Sequence, residues 1–326
     1  MAPSTAQPAS NMVPNYEVKL LMDPTVILDL NNKLKRTVLE TFTVATTVTK
    51  MNVQFLDAND KILYNMGWSP RIRKVQGKAD FELTYKKRYK IVNGDIDAAL
   101  TAANKDTFDS TTTTYEAQVD WGYKNQTLSI NRDESYSDSG KNAIELPSEK
   151  HSRKMLIEKA PDKFNDSVGK DWGTDKLKKS RIYGPVLAER YTGTWSGEEL
   201  NIEVWPIKDA TGMGTEFIIE ASFKVKKRTK ALEKHLEPEA GFSKHTLIEY
   251  FAPFLLAQGF AVFSKVQYKG LLLIEYRTLD ILEPMRGSGL GDAGIAGAKP
   301  PRVHSNAIYF VPLAVPRSKL MSSSTF

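Results

Sequence analysis

The residues best suited to chemistry in this chain are cations spaced two apart. Arg71 and Arg73 flank Ile72, and Lys86 and Arg88 flank Lys87. The stretch that holds them, residues 68–89, contains two runs of alternating side-chain type with Gly77 and Asp80 between them. That is the pattern of a β-hairpin with a loop of a few residues. Residues two apart in a strand point to one face, so each pair of cations shares a face. If the strands pair with those faces aligned, four cations project from one small area of sheet. Like charges on neighbouring strands repel, and a polyanion lying across them removes that penalty. The alternative is a solvated basic strand face on a protein with many lysines.

The elements that must position these side chains are mostly further alternating strands. Residues 15–21 put Asn15, Glu17 and Lys19 on one face and Tyr16, Val18 and Leu20 on the other. Residues 111–122 place Glu116, Gln118 and Asp120 together, and 126–132 read as a strand ending in Arg132. In the second half, 180–191 carries Arg181, Glu189 and Arg190, 200–207 carries Glu203, and 216–226 aligns Glu220, Ser222, Lys224 and Lys226. Further strands are expected at 44–56, 61–65, 261–265 and 271–277, and loops at 133–141 and 170–179, the latter alternatively a short helix. Helices are expected at 25–41, behind Asp23-Pro24, and at 95–105, 148–164, 229–236 and 245–258.

Roughly ten alternating strands are a puzzle for a sandwich, which exposes one face of mixed polarity. Here Arg and Lys gather on some strands and Glu on others. A closed barrel resolves it, because its interior can hold a charged ligand.

Composition narrows the choices. At 326 residues, 41% hydrophobic and 26% charged, the chain has material for a large core in one domain or two. No apolar run reaches the length of a membrane span, and residues 1–13 read as a disordered tail without the pattern of a signal peptide. Having no cysteine excludes disulfides, thiolate metal sites and a cysteine nucleophile, and a cytoplasmic location fits. The net charge of +6 favours anionic partners, but nucleic acid is disfavoured, since the cations are interleaved with glutamates instead of forming an open stripe. His151, His235, His245 and His304 show no ligand spacing, and Trp68, Trp121, Trp195 and Trp205 read as core. The glycine-rich 287–297 lacks the Gly-Lys-Ser/Thr ending of a phosphate loop and reads as a linker.

In this order the motifs resemble the CYTH, or triphosphate tunnel metalloenzyme, superfamily, as a divergent member. Asn15-x-Glu17-x-Lys19 is similar to that family's opening Glu-x-Glu-x-Lys, Arg71-x-Arg73 to its Arg-x-Arg, and Leu83-Thr84-Tyr85-Lys86 to its Leu-Thr-Tyr-Lys. Glu116 to Asp120, Arg190, Glu203, Glu220-x-Ser222 and Ser264-Lys265 follow in the family's sequence of acidic and basic strands. The resemblance spans residues 15–277 and implies an α+β fold: a closed antiparallel tunnel of about eight strands with helices packed outside. It implies one tunnel domain over 14–283, with 284–326 as linker and tail. Further, it implies a metal-dependent phosphohydrolase acting on a small molecule that carries a triphosphate, polyphosphate or diphosphate. Arg71, Arg73, Lys86, Arg88, Arg132, Arg190 and Lys265 would clamp phosphate. Glu17 and Glu220, with Glu116 and Glu203 in reserve, would hold Mg²⁺ or Mn²⁺ that helps activate water; Lys19, catalytic with Glu17, would contact phosphate or shift the proton equilibrium of that water. Asn15 and Ser222 stand where the family has carboxylates, and hard cations prefer carboxylate oxygen. A binding module without catalysis, or a lyase or cyclase on a diphosphate-bearing substrate, therefore stays open.

Overall fold

Alternation becomes architecture through closure of one sheet. The structure, a computed structural model, describes residues 9–122, 126–137, 144–195, 197–209, 211–225 and 262–263. The strands are β1 (Asn15–Met22), β2 (Val48–Asp57), β3 (Trp68–Val75), β4 (Phe81–Lys90), β5 (Glu116–Gly122), β6 (Gln126–Tyr136), β7 (Arg181–Trp195), β8 (Glu198–Lys208), β9 (Thr215–Val225) and the two-residue β10 (Val262–Phe263). Their order is β1-β5-β6-β4-β3-β2-β7-β8-β9, and β9 pairs back onto β1. Nine strands thus close a barrel, and β10 lies against Leu21 and Met22 of β1. Pairing is antiparallel throughout except between β1 and β5, which run parallel. The barrel is therefore mixed and one strand larger than the expected eight.

A closed sheet has an inner and an outer face, and the helices identify the outer one. They are α1 (Pro24–Ile27), α2 (Arg36–Thr41), α3 (Ile62–Asn65), α4 (Ile96–Lys105), α5 (Glu149–Glu158), α6 (Asp162–Asn165) and α7 (Trp172–Lys178). Ile27, Val38, Leu100, Leu156, Phe164 and Leu177 from these helices share one buried cluster with Leu20, Ile72, Leu83, Val119, Ile130 and Phe223 from the strands. Burying such side chains contributes about 1.5–3 kcal/mol each. The ring of Phe164 packs 5.1 Å from both Trp68 and Tyr85, and the Tyr85 hydroxyl donates to the Leu156 carbonyl at 2.5 Å. The apolar halves of the strands thus face outward under helices, and the charged halves face inward. This is a closed α+β barrel with a charged interior, as the sequence pattern and the resemblance imply.

One sector of the interior is apolar. Met51, Val53, Phe55, Val75, Tyr183, Val186, Ala188, Trp205 and Ile207 form a second buried cluster on β2, β3, β7 and β8. Phe55 lies opposite Arg71, and Val53 opposite Arg73, so hydrocarbon from β2 borders the basic wall directly.

Several expected elements differ. The helix expected over 25–41 is two short ones, because the Asp29 carboxylate accepts from the amides of Asn31 and Lys33 and bends the chain between them. Residues 61–65, expected as a strand, are mostly helical α3. Pro161 divides the helix expected over 148–164 into α5 and α6. Strand β6 runs on to Tyr136, through part of the expected 133–141 loop. The expected elements at 229–236, 245–258 and 271–277, the residues from 284 onward, and most of the 1–13 tail lie outside the described residues. No helix among the described residues is long and apolar enough to cross a membrane.

The β2–α3 junction rests on one side chain. Asp57 is buried, and its carboxylate accepts from the amides of Ala58, Leu63 and Tyr64 at 2.7, 3.0 and 2.9 Å. Asp57→Ala strands those donors and is expected to cost about 2–4 kcal/mol, measured by urea denaturation; Asp57→Asn, which keeps one acceptor oxygen, is expected to cost less.

Candidate functional site in the barrel interior

Strand register places the charged residues in rows around the inner wall. Glu17 on β1 is level with Asp120 on β5, which faces Thr127 on β6. Gln118 faces Ser129, which faces Arg88 on β4. Glu116 faces Asn131, which faces Lys86, which faces Ser69 on β3. Asp133 faces Thr84, which faces Arg71, and Glu82 faces Arg73. On the far side Arg190 faces Glu203, which faces Glu220, while Ser222 lies opposite Lys19. Arg71, Arg73, Lys86, Arg88, Arg190, Glu17, Lys19, Glu203 and Glu220 therefore share the inner surface.

Arg132 does not. It pairs with Tyr85, whose ring is in the outer core, so its side chain is outside the barrel. There its guanidinium binds Glu134 at 2.6 Å and lies 5.7 Å from the centre of the Tyr115 ring. Arg132 shares the parity of Leu128 and Ile130, and that parity was the signal in the sequence. Glu116 is on the inner face but exposed at the start of β5. Lys265 and Ser264 lie outside the described residues. His151 is exposed on α5.

Most inner charges are paired. On β1 and β5, the Lys19 ammonium is 2.8 Å from Glu17 and 3.1 Å from Asp120. The Gln118 amide donates to both carboxylates, at 2.6 and 2.5 Å, and Ser129 donates to Asp120 at 2.6 Å. On β3 and β4, Arg73 pairs with Glu82, which also accepts from Lys78 at 2.6 Å. On β7 and β8, Arg190 donates twice to one oxygen of Glu203, at 2.9 and 2.8 Å, and the Trp205 indole donates to the other at 2.8 Å.

Two cations stand apart from this pattern. Arg71 donates to the Thr84 hydroxyl at 2.9 Å, and the Thr84 hydroxyl donates in turn to Asp133 at 2.6 Å. Its Nε is buried without a protein partner, as is Oδ1 of Asn131. Among the described residues Lys86 comes no nearer to a carboxylate than 3.9 Å, from Asp120. Burial lowers the Lys86 pKa; Asp120 opposes the shift, Lys19, Arg88 and Arg71 add to it, and the result is about 7. Burial and Arg73 bring Arg71 down to about 10 against Asp133, Glu82 and Glu203. For Lys19, burial is outweighed by Asp120, Glu17 and Glu220, which hold its pKa well above the ordinary lysine value. For Asp120, burial is outweighed by Lys19 and Lys86, with Ser129 and Gln118 helping, and its pKa falls well below the usual carboxylate range.

Three of the inner carboxylates are engaged by protein donors. Oε2 of Glu17, both oxygens of Asp120 and both oxygens of Glu203 already accept from protein donors. Glu116 sits exposed on a strand that does not neighbour β8 or β9. Among the described residues, no three His, Asp or Glu side chains gather into a metal-binding group. Asp120, Gln118, Ser129 and Thr84 are the working residues missing from the expected set. Asp120 was visible as the acid between Val119 and Trp121, deep in its strand, whereas Glu116 follows the Thr-rich lead-in.

No protein-family profile matches this chain, and no curated protein matches it at a significant level. Among solved structures it is similar to HpAC1 from Hippeastrum, described as an adenylyl cyclase candidate with a dominant triphosphatase activity. That similarity has 12% identity and a TM-score of 0.44, and covers 79% of this chain and 94% of the other. It is also similar to a candidate adenylate cyclase from Bacillus halodurans, with 11% identity and a TM-score of 0.41 over 81% and 97% of the two chains. A third is the PH1819 protein of Pyrococcus horikoshii, with 17% identity and a TM-score of 0.37 over 80% and 99%. These likenesses are remote, and the functional reading below is built on the side chains of this barrel.

Lys86 makes the interior sensitive to pH. In the unfolded chain it stays charged up to the ordinary lysine range; in the fold it begins to lose its proton at about 7. Between those values the unfolded chain binds more protons, so stability rises with pH. The cost of the buried charge is fully present below about 7 and vanishes above the ordinary lysine value. Lys86→Met is expected to raise stability at about pH 6 by roughly 1–3 kcal/mol, with the gain shrinking toward about pH 10; urea denaturation at the two pH values checks this.

Proposed function

We propose that the barrel binds the condensed phosphate chain of a di-, tri- or polyphosphate carried by a small molecule, with Arg71 and Lys86 at the centre of the anion site. One observation carries this reading: among the described residues these two inner cations have no carboxylate within hydrogen-bond reach, Lys86 standing 3.9 Å from Asp120, while Lys19, Arg73 and Arg190 each have one. A buried cation short of counter-charge is costly, and a phosphate oxygen supplies what is missing. Arg71 offers a planar fork suited to two phosphate oxygens, and Lys86 a compact charge beside it. Arg88 extends the same face of β4, and Arg73 extends that of β3. Glu82 and Glu203 hold Arg73 and Arg190 in fixed orientations, so those side chains lose little entropy when an anion arrives.

Phosphoryl transfer needs mainly positioning and charge neutralisation, so hydrolysis of the bound chain is a second reading. The observation that favours it is Lys86, which at about 7 is poised to give a proton to a departing phosphate. Mg²⁺ or Mn²⁺, if bound, would supply Lewis-acid chemistry, but the occupied carboxylates give no basis for a step through it.

Calorimetric titration with inorganic tripolyphosphate tests the binding reading. Arg71→Met and Lys86→Met are each expected to weaken binding at least about tenfold, and Arg132→Ala to leave it unchanged. Because an anion restores the charge on Lys86, binding near neutral pH is expected to take up protons, seen as a dependence of the heat on buffer ionisation enthalpy. Equal affinity in wild type and Arg71→Met defeats the proposal. A phosphate-release screen over nucleoside triphosphates, thiamine triphosphate, tripolyphosphate and prenyl diphosphates tests the second reading, which expects release that falls in Lys86→Met.

A further inference from the structure

We infer that Lys19 is the resident cation of this barrel: its ammonium takes the place between Glu17 and Asp120 that a divalent ion would need, so the interior receives condensed phosphate without metal. This rests on the phosphate-binding reading above and specifies the state of the ligand. The geometry is that of a filled site. The ammonium lies 2.8 Å from Glu17 and 3.1 Å from Asp120, distances of charge-assisted hydrogen bonds. A Mg²⁺ or Mn²⁺ ion held between these two acids would compete for those oxygens at about 2.0–2.2 Å.

The surroundings commit the carboxylates further. Gln118 donates to both, and Ser129 occupies the second oxygen of Asp120. Lys19 has small neighbours on both sides, Gly122 on β5 and Ser222 on β9. They leave room for its side chain to fold back one row toward Glu17 and Asp120. Charge balance points the same way. Glu17 and Asp120 already share the Lys19 ammonium, on which Glu220 acts as well. A dication entering between Glu17 and Asp120 would meet the Lys19 charge at contact distance unless Lys19 were expelled.

Electron paramagnetic resonance of free Mn²⁺, titrated with the full chain, reads this directly. The wild type is expected to leave Mn²⁺ free, and Lys19→Met, which vacates the two carboxylates, to bind about one ion. Lys19→Arg, which retains a cation, is expected to stay metal-free. Mn²⁺ binding by the wild type that is lost in Glu17→Gln overturns the inference without needing the Lys19 variants to fold. A wild type and a folded Lys19→Met that both bind none also overturn it, since Lys19 is then not what keeps the ion out. In calorimetry with inorganic tripolyphosphate, binding in EDTA at least as tight as in excess Mg²⁺ supports it; binding only with Mg²⁺ overturns it. Absence of binding in both buffers removes the phosphate reading of the barrel, and the Mn²⁺ comparison then decides the role of Lys19 alone.

Discussion

A charge taken out of water has to find an opposite charge or a dense set of hydrogen bonds, and the inner wall of this barrel is arranged around that requirement. Glu17 and Asp120 share Lys19, Glu82 takes Arg73, and Glu203 takes Arg190. Neutral donors close the remaining valences: Gln118 and Ser129 on one side, the Trp205 indole on the other. Such pairs add little net stability, because desolvation offsets most of their attraction. What they supply is fixed geometry. Within that frame Arg71 and Lys86 are the places where matching is incomplete, and an incoming anion is drawn there.

The apolar sector sharpens the effect. Phe55 and Val53 of β2 sit opposite Arg71 and Arg73, and behind them the cluster runs through Val186, Ala188 and Trp205. Hydrocarbon on one flank keeps water from the guanidinium groups and lowers the local dielectric. Repulsion among the unmatched cations and attraction for an anion both grow in such a setting. The depressed pKa values of Arg71 and Lys86 and the anion affinity proposed for them are thus two expressions of one environment.

Much of this was legible in the residues. Period-two alternation in 68–89 gave the hairpin, the shared faces of Arg71 with Arg73 and of Lys86 with Arg88, and the need for a partner to the charge. The inward orientation followed from so many strands carrying charge on one face. What alternation could not reveal is which strands meet. The parallel pairing of β1 with β5 sets Glu17 level with Asp120, and that juxtaposition decides whether the acids are open to an ion or already engaged. Arg132 shares the parity of Leu128 and Ile130, which assigns it to the outer face and away from the phosphate-facing place expected for it. The helical turn at 61–65 owes its start to Asp57, which holds the Leu63 and Tyr64 amides from the end of the preceding strand, and to Asp60 at the Ile62 amide.

Ring closure also constrains how the chain can assemble. The final seam joins Lys19 to Ser222, positions roughly two hundred residues apart, and such distant pairing is entropically late. During synthesis β1 precedes β9 and must wait for it with one edge unsatisfied. An unpaired strand edge is a template for association with other chains. Glu17 and Lys19, which look into the closed cavity, are charges of the kind that disfavours such association.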